Sequence, residues 1–161
     1  MNLESQKGTY ALIFQANQKF TCKVGKHGDF EGRPGSYIYV GSAFGPGGVR
    51  ARIIHHLKLS LKPHWHLDYI RPYIQPVAVC YNYSSNRHEH RWATVVSKMA
   101  EAQYVMYKFG SSDCTCPSHL FYFQRAAITT VLQRKLSKDM QVSLKLHCMD
   151  LTVENIKNIC N

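Results

Sequence analysis

Cys114, Cys116 and His119 place two thiols and an imidazole within six residues, with the carboxyl of Asp113 beside them. Donors of that kind suit zinc, a borderline-soft ion that takes four nitrogen and sulfur ligands in a tetrahedron. Two thiols one residue apart cannot easily wrap an ion by themselves, so further ligands must come from a distant segment. His64 and His66, in His64-Trp-His-Leu-Asp-Tyr69, are the candidates. The Cys-x-Cys spacing is not that of a standard zinc-finger pair, which favours the plainer reading: reduced thiols and polar side chains packing a loop beside an active site. His88 and His90, which flank Glu89, read as solvated groups.

The second chemical signal is charge. Twenty Lys and Arg against ten Asp and Glu give a formal net charge of +10 with nine histidines neutral, which points to a polyanionic partner, nucleic acid first. Lys23, Lys26, Arg33, Arg50, Lys58 and Lys62 lie along one glycine-rich loop and the helix that follows it. On a shared face they form a track for a phosphate backbone, with affinity that falls steeply as salt rises. Taken singly, each is equally well read as a solvated surface charge.

These groups need a scaffold, and the composition supplies one. A chain of 161 residues that is 45% hydrophobic and 19% charged is long and apolar enough for one folded domain, which excludes a disordered chain. No apolar run approaches the roughly 18 to 20 residues of a membrane span, and Met1 to Lys7 lacks the apolar stretch of a signal peptide. A cytoplasmic protein is expected, and its six cysteines are then reduced thiols or metal ligands rather than a disulfide framework.

Alternation from Gly8, with Tyr10, Leu12 and Phe14 on one side and Thr9, Ala11 and Ile13 on the other, predicts a strand. Phe20, Cys22 and Val24 make a shorter one. Ser36 to Gly41 predicts another, with Tyr37 and Tyr39 on one face and Ile38 and Val40 on the other. Gly45-Pro-Gly-Gly48 opens a helix to about Leu59 whose buried stripe is Val49, Ile53 and Leu57. That helix offers Arg52 and His56 to a rim and His55 to water. Val77 to Tyr83 reads as a third long strand, and Asn86 can cap a helix carrying Trp92, Val95, Val96 and Met99. Leu120 to Phe123 is a short strand, Arg125 to Leu136 a helix, and Val142, Leu144, Leu146 and Cys148 alternate like a strand. Asp150 or Thr152 can cap a last helix. The pattern is that of one α/β or α+β domain with a C-terminal extension.

Gly8-Thr9-Tyr10 and Tyr39-Val40-Gly41 on consecutive strands, followed by Arg52 and His56 on the next helix, resemble the signature of the GIY-YIG nuclease superfamily. Gly41-Ser-Ala-Phe-Gly-Pro-Gly-Gly48, His64-Trp-His-Leu-Asp-Tyr69 and Phe109-Gly-Ser-Ser-Asp-Cys-x-Cys-x-Ser-His-Leu-Phe-Tyr122 are similar to one small prokaryotic subfamily, found alone or fused to endonuclease-III-like repair proteins. The resemblance runs from about Gly8 to Phe123. It implies a nuclease-like domain over residues 1–123, a C-terminal extension over 124–161 packed on the same domain, and a small central antiparallel sheet of about three strands flanked by helices.

It also implies roles. Tyr10 would be the general base or help form it, Tyr39 would line the site, Arg52 would stabilise the transferring phosphate, and His56 would share that rim. Glu89 would hold a magnesium or manganese ion near the leaving group. Glu89 has a second reading from spacing alone, because Asn86 and a glutamate three residues later form a capping-box pattern. A phenol near pKa 10 is a poor base in water, so Tyr10 should need its pKa lowered by a cation such as Arg52.

The expected function is therefore a metal-dependent endonuclease acting on DNA, with RNA left open. An extension too short to be a separate recognition domain favours structure-selective, repair-related cutting over restriction-type recognition, or it could serve a homodimer interface. Two alternatives stand beside it: a basic nucleic-acid-binding module with the same fold and no chemistry, and a zinc-stapled interaction domain.

Overall fold

The computed structural model describes residues 3–140 and 144–160. Met1, Asn2 and Val142, which enter the sequence expectations, lie outside them. In chain order the elements are β1 (Gly8–Ala16), β2 (Phe20–Lys23), β3 (Asp29–Gly32), β4 (Gly35–Ala43), α1 (Gly48–Leu57), α2 (His66–Ile70), β5 (Gln75–Tyr83), α3 (Glu89–Ser97), β6 (Gln103–Tyr104), β7 (Leu120–Phe123), α4 (Thr129–Asp139), β8 (His147–Asp150) and α5 (Val153–Cys160).

The class is mixed α/β, as the patterning predicts, but the sheet is larger than the expected three strands. Six strands pair in the order β6-β7-β4-β1-β5-β8, and β2 and β3 form a separate hairpin. Every pairing in the large sheet is antiparallel. The three nine-residue strands β4, β1 and β5 are the predicted ones, and they form its centre. Of the added strands, β7 is the short strand expected at Leu120 to Phe123 and β8 begins within the alternation that ends at Cys148, whereas β6, with two residues, is too short for alternation to announce it.

Both faces of the sheet are covered, which is why its strands are buried almost throughout. Tyr10, Leu12, Phe14, Tyr37, Tyr39, Val79 and Tyr81 face one core, with Val49, Ile53 and Leu57 of α1 and Ile159 of α5. Ala11, Ile13, Ile38 and Val40 face the other, with Trp92 and Val96 of α3 and Leu132 and Leu136 of α4. The segment after Phe123 is built onto this body: β8 extends the sheet beside β5, α4 packs on α3, and α5 packs on α1. Thr152 caps α5 by accepting from the Asn155 N–H at 3.2 Å.

Two sequence expectations are corrected here. Cys80 and Cys148, directly opposite each other on β5 and β8, form a disulfide, so not all six cysteines are free thiols. Cys22, Cys114, Cys116 and Cys160 are free. Asn86 does not cap α3. The residue preceding the helix is His88, and its N–H donates to Thr9 Oγ1 at 3.1 Å. Thr9, fully buried on β1, thereby ties the start of α3 to the central strand and brings Glu89 to the end of the sheet.

Candidate active site

The register of β1 against β4 pairs Leu12 with Tyr39 and Tyr10 with Gly41, so both tyrosines rise from one face of adjacent strands. The Tyr10 ring lies over Gly41, and a Cβ at that glycine would run into the hydroxyl and ring of Tyr10. Gly110 has φ +68°, a left-handed conformation that favours glycine, and its missing side chain leaves room for the Tyr39 ring 2.7 Å from the Cβ position. We expect Gly41→Ala to destabilise the fold by about 1–3 kcal/mol through this overpacking. The urea midpoint measures it; a midpoint equal to that of the parent protein would show that the phenol has other room.

α1 delivers the third group. His56, on the inner side of the helix, meets the Tyr10 hydroxyl through Nε2 at 2.9 Å, and its ring centroid is 5.5 Å from that of Tyr39. Its position is fixed from behind by the buried Arg71, whose guanidinium donates to the carbonyls of His56, Leu57 and Ile74 at 2.7–3.0 Å. A cation on the last carbonyls of a helix satisfies acceptors that the helix cannot and complements its dipole.

α2 braces the outer side. Asp68 accepts from the N–H groups of His64 and Trp65 and pairs with His55 Nε2, all at 3.0 Å. His55 is therefore not simply turned to water: it is half-buried between this carboxylate and the Trp65 ring. Arg52 stacks its guanidinium over the same indole, 4.3 Å from the centroid. Burial alone would raise the Asp68 carboxyl, but the two backbone N–H groups and His55 outweigh it and hold it below the ordinary carboxylate value.

Electrostatics overturn one expectation. Arg52 does draw the Tyr10 phenol downward, but desolvation is the larger cause and leaves Tyr10 well above the ordinary tyrosine value. Tyr39 is raised in the same way, chiefly by burial and next by the charge of Glu89. His56 is pushed down to about 3, first by burial and then by the charge of His55. At neutral pH the Tyr10–His56 pair therefore holds a phenol and an uncharged imidazole. The bond between them allows either partner to donate, according to the imidazole tautomer, while His56 Nδ1 is buried with no hydrogen-bond partner. The contact gives a path for a proton between the two groups, but burial disfavours both charged forms, so the pair could carry a proton only transiently and Tyr10 is no ready-made anion.

Glu89 lies close enough to raise the pKa of both tyrosines. Its carboxylate faces His119 across the end of the sheet, with Oε1 3.4 Å from Nδ1, rather than serving as the far half of a box with Asn86. An open pocket of about 240 Å³ beside it is lined by Arg87, Glu89, His90, Asp113 and Cys114. A second pocket is lined by Tyr39, His64, Trp65, His66, Gly110, Ser112 and Asp113. Asp113 belongs to both and forms the ridge between them.

The remaining predicted residues are dispersed. His66 Nδ1 accepts from the Gly110 N–H at 2.8 Å, so His66 orders the loop beside Tyr39, and neither it nor His64 joins the cysteines. Lys23, Lys26, Lys58 and Lys62 are exposed. Arg33 stacks over Tyr122 and donates to Gln103, and Arg50 donates to the Ile159 carbonyl, so these two are committed to neighbouring elements. A cation that sequence reading missed, Arg87, stands at the Glu89 pocket, held over Phe44 and on Ser42 Oγ. Its position two residues before a glutamate carries no signal until the chain is folded.

A family model described as a domain of unknown function, DUF123, matches residues 9–141. Neither the curated proteins nor the solved structures contain a match.

Proposed function

The chain belongs to the DUF123 family, and from its own site we propose that it is a cytoplasmic, metal-dependent endonuclease of the GIY-YIG type that hydrolyses DNA phosphodiesters, selecting substrates by structure. The observation that carries the reading is the convergence of Tyr10, Tyr39 and His56 at one spot, with the charges of Arg52 and Glu89 acting on it from opposite signs.

An attacking water would pass its proton to the Tyr10 oxygen while the Tyr10 proton moves to His56 Nε2. The water oxygen bonds to phosphorus, the P–O3′ bond breaks, and the leaving O3′ takes a proton from solvent, so the products are a 5′-phosphate and a 3′-hydroxyl. Arg52, preorganised on Trp65, faces the charge that grows on the phosphate oxygens. Glu89 and Asp113, two carboxylates lining one pocket, would hold a magnesium or manganese ion, whose chemistry would be to stabilise negative charge on the leaving oxygen. Arg87 and the exposed lysines would hold the flanking backbone.

One observation favours a second reading. Tyr10, Tyr39 and His56 are all buried, and a basic module that binds nucleic acid without cutting it would keep them simply as core. Arg52→Ala and Glu89→Ala, compared with the parent protein on supercoiled, flapped and branched DNA in magnesium, manganese and EDTA, separate the two. We expect metal-dependent nicking by the parent protein and a loss of about tenfold or more in each variant. Salt-sensitive binding with no cleavage by any of the three would establish the binding module instead.

A further inference from the structure

We infer that His90, Cys114, Cys116 and His119 form a zinc site, which adjoins the proposed magnesium position, since His90 and Cys114 also line that pocket, and which does not rest on the nuclease reading. Their ligand atoms all lie within 4.8 Å of one another. The set differs from the one expected from sequence: the partner of the cysteine loop is His90, on the first turn of α3, and not His64 or His66.

Three observations carry this. The first is the donor set itself, two thiols and two imidazoles, which matches a closed tetrahedral zinc site and suits magnesium poorly. One edge of the tetrahedron is already at its bound length: Cys114 Sγ and His119 Nε2 are 3.6 Å apart, about the separation given by zinc–sulfur and zinc–nitrogen bonds near 2.3 and 2.05 Å. The second is the setting of His119. Its ring is buried, with Nε2 facing the sulfur and Nδ1 facing the Glu89 carboxylate at 3.4 Å. Nδ1 makes no hydrogen bond in this arrangement, and Nε2 is the nitrogen turned towards the cysteine loop. The third is the loop, which is held by its own hydrogen bonds. The Lys108 ammonium donates to the carbonyls of Cys114 and Cys116, Cys114 N–H donates to the Ser111 carbonyl, and His119 N–H donates to the Phe109 carbonyl.

Four protein ligands leave no open position, so the ion would be structural. It would join the loop that carries Gly110 and Asp113 to the start of α3, where Glu89 precedes His90 in the first turn.

The test uses the full chain purified without added zinc. Elemental analysis should find one zinc per chain that survives dialysis, and cobalt substitution should give visible d–d bands with sulfur-to-cobalt charge transfer. In chelator competition His90→Ala and Cys116→Ser should bind zinc at least about tenfold more weakly. His64→Ala and His66→Ala should be unchanged. His90 is exposed, so its replacement decides the matter even if Cys116→Ser fails to fold. The proposal is overturned by a protein without stoichiometric zinc, by weak adventitious zinc lost on dialysis, or by a folded His90→Ala that holds zinc as tightly as its parent with the same cobalt spectrum.

Discussion

Tyr10→Phe should reduce single-turnover nicking by about 10²–10⁴-fold, the usual span for removing a positioned acid–base group, while leaving salt-dependent affinity for the same branched DNA unchanged. The substitution removes one oxygen and keeps the ring that packs over Gly41, so the β1–β4 pairing and the core around it are spared. What it breaks is the 2.9 Å link to His56. With the phenol gone, the imidazole has no hydroxyl through which to receive a proton from water, and burial prevents it from reaching bulk solvent directly. His56→Gln tests the other half of the pair: it keeps a hydrogen-bonding group near Tyr10 but no basic nitrogen. Both variants should therefore lose rate without losing binding. Unaltered nicking by Tyr10→Phe would remove the tyrosine from the reaction and leave it as a core residue.

The second large effect concerns acid stability. His56 is neutral in the folded protein down to about pH 3, whereas in the unfolded chain it titrates near 6.5. Above that value neither state is protonated and His56 contributes no pH dependence. As pH falls from about 6.5 towards 3 the unfolded chain gains a proton that the folded one refuses, so stability declines by up to about 1.4 kcal/mol per pH unit. Over the two units to pH 4.5 this amounts to about 3 kcal/mol, a large part of the stability of an ordinary domain. Asp68 acts in a lower window, since its depressed carboxyl loses its stabilising bonds only as pH drops below the usual carboxylate range. Urea unfolding between pH 7.5 and 4.5 should give a steep decline for the parent protein and a visibly shallower one for His56→Gln. Parallel lines would mean that the imidazole is hydrated and free to charge.

The sequence was most readable where periodicity is long. Alternation over Gly8 to Phe14 and Ser36 to Gly41 dictates which face Tyr10, Tyr37 and Tyr39 share, and the stripe of α1 places Arg52 and His56 beside it, although His56, expected at a rim, is buried against the tyrosines. What stayed hidden depends on contacts between remote segments. His90 looks like a solvated neighbour of Glu89 until Thr9 pins the start of α3 against the end of the sheet and the loop before β7 folds over it. Asp68 is one carboxylate in an unassigned segment until α2 turns it onto three donors at once. Cys80 and Cys148 look unrelated until β5 and β8 are known to be neighbours. The pKa of Tyr10 was misjudged for a similar reason: a nearby arginine is visible in the motif, but the depth of burial that outweighs it is a property of the whole core.

The strand order has a consequence for synthesis. β1 and β4 pair at the centre, β5 joins the free side of β1, β7 the free side of β4, and β8 arrives last, at an outer edge. No later strand has to be inserted between two that are already paired, so the sheet can widen outward as the chain leaves the ribosome without reopening earlier pairings. The residues proposed to do chemistry span positions 10 to 89, yet the loop that buttresses Glu89 is not translated until residue 119. A growing chain would therefore hold Tyr10, Tyr39 and His56 for about sixty residues, and Glu89 for about thirty, before the loop that faces Glu89 is complete, a delay that would leave the proposed site unfinished until then.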